Sequence, residues 1–308
     1  MHEIFFSQAI ARAEELDKYY KDNGKTMGPL HGLPISLKDQ FHVKGNDTTM
    51  GYIGWIDTYE GKKDEALVHR VNSQVVSELL SLGAVLYCKT SLPQTLLLGE
   101  TVNNLIGQTL NPNNQNLSCG GSSGGEGALQ ALRGSVVGLG TDIGGSLRIP
   151  AAFNGTFSIK PTHTRLSYRN VANVIPGETT YASSVGVMGT SLEAIHLVLR
   201  SVVLTQPWLR DPNVTPLPWR DDRVKETLAR ATGDGFANGN KPLKLGIFWT
   251  DGVVTPQPPI ARGLKLVVDA VRRAGHQVRR PSRFFHVYTL MSLLLLGRRV
   301  VASRSAHR

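Results

Sequence analysis

At 308 residues, with 41% hydrophobic and 19% charged side chains, the chain has the make-up of one large or two small globular domains, which excludes wholesale disorder and a collagen-like repeat. Its net charge of +10 sits at one end: residues 262–308 hold 11 Lys and Arg against Asp269 alone, so residues 1–261 carry 23 basic and 23 acidic groups and do not read as a polyanion binder. Two cysteines, Cys88 and Cys119, exclude a disulfide scaffold and a four-cysteine zinc site, and the longest mostly apolar stretch, 284–296, is too short to span a bilayer.

Met1-His2-Glu3 leads straight into an amphipathic pattern rather than a secretory signal. Apolar residues at Phe6, Ala9, Ile10, Ala13, Leu16 and Tyr20 predict a helix over 4–22, ended by Asn23-Gly24. A short strand is expected at 33–37 after His31-Gly32. Val68, Val71, Val75, Leu79 and Leu82 predict a second helix stopped by Gly83, and 84–88 reads as a buried strand. The polar run 103–116, with Asn111-Pro112, reads as loop. A Gly/Ser cluster at 120–125 then opens a helix through about Leu132, and 136–139 is a strand. Thr190 with Glu193 three residues on predicts a capping box for a helix over 192–204. Residues 207–222 read as loop, 243–249 as strand and 260–274 as a helix ended by Gly275. Alternating strands and helices predict an α/β layer architecture with a largely buried sheet.

Three segments carry the candidate chemistry: GPLHGLPISLKD at 28–39, GGSSGGEGAL at 120–129 and GLGTDIGGSLRIP at 138–150. Glycine turns let backbone N–H groups converge on an anion, either a phosphate or the oxyanion of acyl transfer. No Gly-Lys-Ser/Thr follows either cluster, so neither is a P-loop. The G-x-G-x-x-G pattern from Gly138 and Gly140 fails at Ile143. Acyl transfer remains, and it needs a nucleophile and a base. Ser122 and Ser123 each fit G-x-S-x-G, but that elbow must follow a strand and the preceding residues read as loop. Ser146 is better placed, behind a strand and a glycine turn, with the N–H groups of Ile143, Gly144 and Gly145 beside it. The nine histidines show no metal-ligand spacing, and no metal or organic cofactor is expected.

These segments resemble the amidase signature family, and LKDQFHVKG, TTMGYIGW and VLYCKTSLPQ are similar to its fungal acetamidase-type branch. The resemblance covers roughly residues 3–280. It implies a three-layer α/β/α sandwich around a mixed β-sheet, here incomplete: a partial domain over 1–283, cut short at both ends, and a divergent basic tail over 284–308. It also implies a Ser-Ser-Lys triad, with Lys38 as base, Ser122 as a bridging serine held by a cis peptide bond, and Ser146 as nucleophile. The amides of Ile143, Gly144, Gly145 and Ser146 match the family's oxyanion hole. Leu96 falls where relatives place a substrate-contacting residue, often Met. Ser123, Thr141, Asp142 and Arg148 match supporting positions, the last two as an ion pair bracing the loop.

A serine hydroxyl attacks an amide only once its proton is removed. A lysine can take that proton only when neutral, and lowering its pKa from ~10.4 to ~7 costs about 4–5 kcal/mol. Burial against Leu33, Ile35 and Leu37 is the expected source of that desolvation. The implied function is hydrolysis of a carboxylic amide to an acid and ammonia through an acyl-enzyme. The alternative is a catalytically inactive fragment that keeps the motifs. The expected partner is a small-molecule amide, with a homodimer as an option, no nucleic acid and no membrane span; the expected location is the cytoplasm.

Overall fold

Successive side chains of a strand point to opposite faces of its sheet, and here the two faces differ in chemistry. The computed structural model describes residues 1–175, 177–178, 180–231, 242–250 and 253–279. Strand β2 (Pro34–Lys38) runs parallel between β3 (Val85–Thr90) and β6 (Val137–Asp142). On the β3 side, β1 (Glu3–Ile4) adds antiparallel. On the β6 side, β8 (Ser184–Gly189) and then β7 (Phe157–Ile159) add antiparallel, which gives a mixed six-stranded sheet in the order β1-β3-β2-β6-β8-β7.

On one face Ile35, Leu37, Leu86, Val137, Leu139, Val185 and Val187 form the main core. Val75, Val76 and Leu79 of α2 (Gln74–Ser81) and Ile195, Val198 and Val202 of α5 (Leu192–Leu204) close over them. On the other face α1 (Phe6–Asn23) packs Ala9 and Leu16 against Val85. There α3 (Gly124–Ala131) covers Ser36 and Gly138, and Ala151 of α4 (Arg148–Asn154) meets Leu147 and Met188. Helices therefore flank both faces of a mixed sheet, as the α/β/α expectation requires.

The approach of α3 depends on glycine in β6. A Cβ on Gly138 would lie 2.0 Å from Glu126 Oε2 and 2.4 Å from Ser36 Oγ, and one on Gly140 would lie 2.6 Å from Ser123 Oγ. Gly138→Ala forces the buried carboxylate off its partners. It is expected to lower unfolding stability by about 1–3 kcal/mol as an overpacked core site does, read from the urea midpoint. An unchanged midpoint would mean that α3 is free to shift.

Several elements differ from the pattern-based expectation. The second helix starts at Gln74, not near Val68, because residues 65–70 turn through His69 at φ +54° and the Ser73 hydroxyl donates to the Asn170 carbonyl. The N-cap of α5 is Ser191, whose hydroxyl accepts the Ala194 N–H at 3.1 Å, while Thr190 turns to the Val136 carbonyl. The expected loop at 103–116 contains β5 (Gly107–Gln108), paired with β4 (Val102–Asn103). Strands β7 and β8 and helix α4 lay in sequence read as no element.

The chain divides into two compact units, Met1–Trp219 and Arg220–Arg308. The second unit holds α6 (Asp221–Ala231), which begins where loop was expected, β9 (Lys244–Gly246), α7 (Pro258–Arg273) and β10 (Gln277–Arg279), with β9 and β10 parallel. The basic tail at 284–308 lies outside the described residues. Among the described residues no helix is long and apolar enough to cross a membrane.

Candidate functional site

Three chain segments meet at the ends of β2 and β6 under the start of α3. Lys38 closes β2, Thr141 and Asp142 close β6, and Ser122 and Ser123 sit in the turn before α3. That turn can press against its neighbours because it is glycine: a Cβ on Gly121 would lie 2.7 Å from the Glu100 carbonyl oxygen. The Gly121–Ser122 peptide bond is cis.

Lys38 is fully buried. When protonated, its Nζ donates to Ser122 Oγ at 2.7 Å and to Thr141 Oγ1 at 2.9 Å. Burial lowers its pKa from 10.5 to about 7, against the pull of the Asp142 and Glu126 carboxylates in the other direction. The source of that burial differs from the expectation. Ile35 and Leu37 point into the opposite face of the sheet, since they alternate with Ser36 and Lys38. The lysine is instead enclosed on the α3 side, among hydroxyls. Next to it Asp39 pairs with buried Lys89 at 3.0 Å and accepts the Met50 N–H at 2.7 Å, which anchors the backbone leaving β2.

Ser146 is 8% exposed. Its carbonyl accepts the Ser123 N–H at 3.0 Å, which ties the two serine-bearing loops together, and the Ser123 hydroxyl donates to the Thr141 carbonyl at 3.3 Å. Ser122, Ser146, Thr141, Leu96 and Ile143 line one cavity of about 40 Å³. Ser146, Leu96, Ile143 and Gly144 also line an adjoining groove of about 210 Å³ together with Leu97, Leu98 and Ile149. The Ser146 hydroxyl thus stands where the two spaces meet, and it has no hydrogen-bond partner among the described residues.

Asp142 organises the loop between β6 and α4. It accepts the N–H groups of Gly145 (2.7 Å), Leu147 (3.1 Å) and Arg148 (3.4 Å) and a two-pronged pair of bonds from the Arg148 guanidinium, both at 2.9 Å. Burial alone would raise its pKa, but the bonds from Arg148, Leu147 and Gly145 outweigh that and hold it below the usual aspartate value. This corrects one expectation. The Gly145 N–H belongs to the brace, because a carboxylate three residues back has already captured it. The N–H groups of Ile143, Gly144 and Ser146 have no acceptor among the described residues.

Two buried polar groups escaped the pattern reading. Glu126, in the first turn of α3, accepts from Ser36 Oγ (2.7 Å), Thr90 Oγ1 (2.8 Å) and Gln130 Nε2 (3.2 Å). Burial raises its pKa to about 7, opposed by those bonds and by Lys38. An acid in a helix's first turn reads as a dipole partner, so only its place beneath the sheet reveals it. Gln40, two residues past Lys38, accepts the Thr141 hydroxyl at 2.7 Å. Burial pushes Cys88 up to about 12 and Cys119 up to about 11, so neither is a thiolate at neutral pH. Elsewhere, Asp47, Asp57 and His69 bring ligand-type atoms together. Asp47 and His69 already hydrogen-bond each other at 2.6 Å and Asp57 is exposed, so the group reads as a surface hydrogen-bonded cluster.

The sheet is the mixed α/β kind flanked by helices, and the family model described as Amidase matches residues 1–305. The chain belongs to the amidase signature family. It is 48% identical over 277 residues to an acetamidase of Emericella nidulans (90% of this chain, 48% of that one). It is 46% identical over 289 residues to an acetamidase of Aspergillus oryzae (94% and 50%). Among solved structures it is similar to a fatty acid amide hydrolase, at TM-score 0.81 and 36% identity over 92% of this chain and 46% of that one. The chain spans about half the length of the curated relatives it matches.

Proposed function

We propose that the protein is an amidase that hydrolyses a carboxylic amide to a carboxylate and ammonia, with Ser146 as nucleophile, Ser122 as proton relay and Lys38 as base. The observation that carries this is a fully buried lysine amine 2.7 Å from the Ser122 hydroxyl, with Ser122 and Ser146 on the wall of one cavity. A lysine held near pKa 7 is neutral in a large share of molecules at working pH, which a base must be.

In this reading Ser122 gives its proton to Lys38 Nζ and takes one from Ser146. The Ser146 oxygen then bonds to the amide carbon, and the carbonyl electron pair moves onto oxygen. The N–H groups of Ile143, Gly144 and Ser146 receive that oxyanion, each such donor contributing about 3 kcal/mol. Collapse breaks the C–N bond, and the relay returns the proton from Lys38 to the departing nitrogen. Water enters by the same route and releases the acid from Ser146. The acetamidase relatives and the small inner cavity both support a short acyl group.

Ammonia release from acetamide, propionamide and benzamide tests the reading, with a longer relative assayed in parallel. Release from acetamide is expected, together with labelling by a fluorophosphonate that Ser146→Ala abolishes. Folded protein that releases no ammonia and takes no label would favour the inactive-fragment alternative.

A further inference from the structure

The amide of Gln40 has a fixed orientation. Its Nε2 lies 2.6 Å from the Ala172 carbonyl oxygen and 2.7 Å from the Tyr168 hydroxyl. A carbonyl can only accept, so the –NH2 end must face Ala172 and the oxygen end must face Thr141. Thr141 has one hydroxyl proton, and Gln40 Oε1 takes it at 2.7 Å. Towards Lys38, 2.9 Å away, the Thr141 hydroxyl can therefore offer only a lone pair.

The consequence falls on the lysine. A neutral amine has two N–H bonds and one lone pair. Among the described residues Lys38 Nζ has two hydrogen-bond partners, Thr141 and Ser122. Thr141 is locked as an acceptor and takes an N–H. The second N–H and the lone pair remain, and of the two partners only the Ser122 O–H can donate to that lone pair, which is the direction that proton abstraction needs.

We propose that Gln40 is a positioning residue: by holding the Thr141 hydroxyl as a permanent acceptor, it reserves the lone pair of neutral Lys38 for Ser122. This rests on the amidase reading of the same site. Without Gln40 Oε1 the Thr141 hydroxyl can rotate and donate to Nζ, so the base is neutral but engaged with the wrong partner. The ionisable groups facing Lys38 are Glu126 from α3 and Asp142 from the end of β6, with the Tyr168 hydroxyl behind Gln40, near Ser183 and Thr141. The change below leaves Glu126 and Asp142 in place and takes from the Tyr168 hydroxyl only its bond to Gln40.

The test is Gln40→Met, of similar length but without the amide. Its kcat on acetamide is expected to fall at least tenfold with KM within twofold. The acid limb of its pH profile is expected to move down by half a pH unit or more, because donation from Thr141 favours the neutral amine. A second change to Thr141→Val removes the misdirected hydroxyl, so the double variant is expected to recover part of the lost kcat. A wild-type kcat in Gln40→Met, or a double variant slower than Gln40→Met with an unmoved limb, would overturn the proposal in favour of a packing role. Should Gln40→Met not fold, Gln40→Asn, whose amide is withdrawn by one methylene, carries the same signs. The NMR titration of the Lys38 Cε in wild type and variant reads the shift without turnover. Absence of activity in the wild type would therefore sink the amidase reading, while an unshifted titration would sink this one.

Discussion

Ser146→Ala is expected to abolish amide turnover, with kcat falling by roughly 10⁴–10⁶-fold, the loss seen when a serine nucleophile that acts as part of a unit is removed. Ser122→Ala is expected to cost less, roughly 10²–10⁴-fold, because general acid–base transfer contributes about that much and a water can stand in for a missing hydroxyl. The order follows from position. Ser122 is the serine that touches Lys38, 1% exposed and bonded at 2.7 Å. Ser146, 8% exposed, lines the groove together with Ile143 and Gly144. A hydroxyl already bonded to the base and closed from solvent suits a relay; one facing the groove suits attack. Turnover of acetamide and fluorophosphonate labelling check both variants. A labelled, active Ser146→Ala beside an inert Ser122→Ala would exchange the two roles.

The parts of this site legible in the sequence are those that constrain the backbone. Gly124, Gly138 and Gly140 stand where a Cβ would meet another atom at 2.1, 2.0 and 2.6 Å, and such a requirement leaves a glycine pattern. The three motif segments, the strands that carry them and the helix after Ser123 could be read for that reason. What could not be read depends on which face a side chain takes and on what lies across the sheet. Ile35 and Leu37 looked like the wall around Lys38, but the two-residue period sends them to the opposite core. Glu126 and Gln40 are ordinary polar letters until α3 and the loop at 168–172 close over them. The Gly145 N–H is a plausible oxyanion donor from sequence order alone, and only the geometry of Asp142 assigns it elsewhere. Strand β8 reads Ser-Val-Gly-Val-Met-Gly. Its glycines break the apolar alternation where neighbours crowd it: a Cβ on Gly186 would lie 2.3 Å from the Ile159 carbonyl oxygen of β7 and 2.5 Å from Leu147 Cδ1, and one on Gly189 3.1 Å from Ile195 of α5.

The pH behaviour should show Lys38 directly. The amine must be neutral to act, so kcat/KM is expected to rise with pH through about 7, where burial has brought its pKa. Lys38→Met should remove that limb along with most of the activity. Glu126→Gln takes away a carboxylate that favours the ammonium, so the limb should move to lower pH. Stability must follow the same titrations with opposite slopes. Between about pH 7 and 10.5 the unfolded chain holds a proton on Lys38 that the folded chain has released, so the fold gains stability as pH rises across that window. Glu126 ionises near 7 when folded and near 4.5 when unfolded. Between those values the folded chain holds the extra proton, and stability falls as pH rises. The pair therefore contributes least to stability near pH 7, which is where the base becomes available. Urea midpoints from pH 5 to 10 check this: wild type should dip near neutrality, and Lys38→Met should lose the alkaline recovery. A flat kcat/KM profile from pH 5 to 9, with a Lys38→Met midpoint that still recovers on the alkaline side, would mean that Lys38 stays charged in the fold and is not the base.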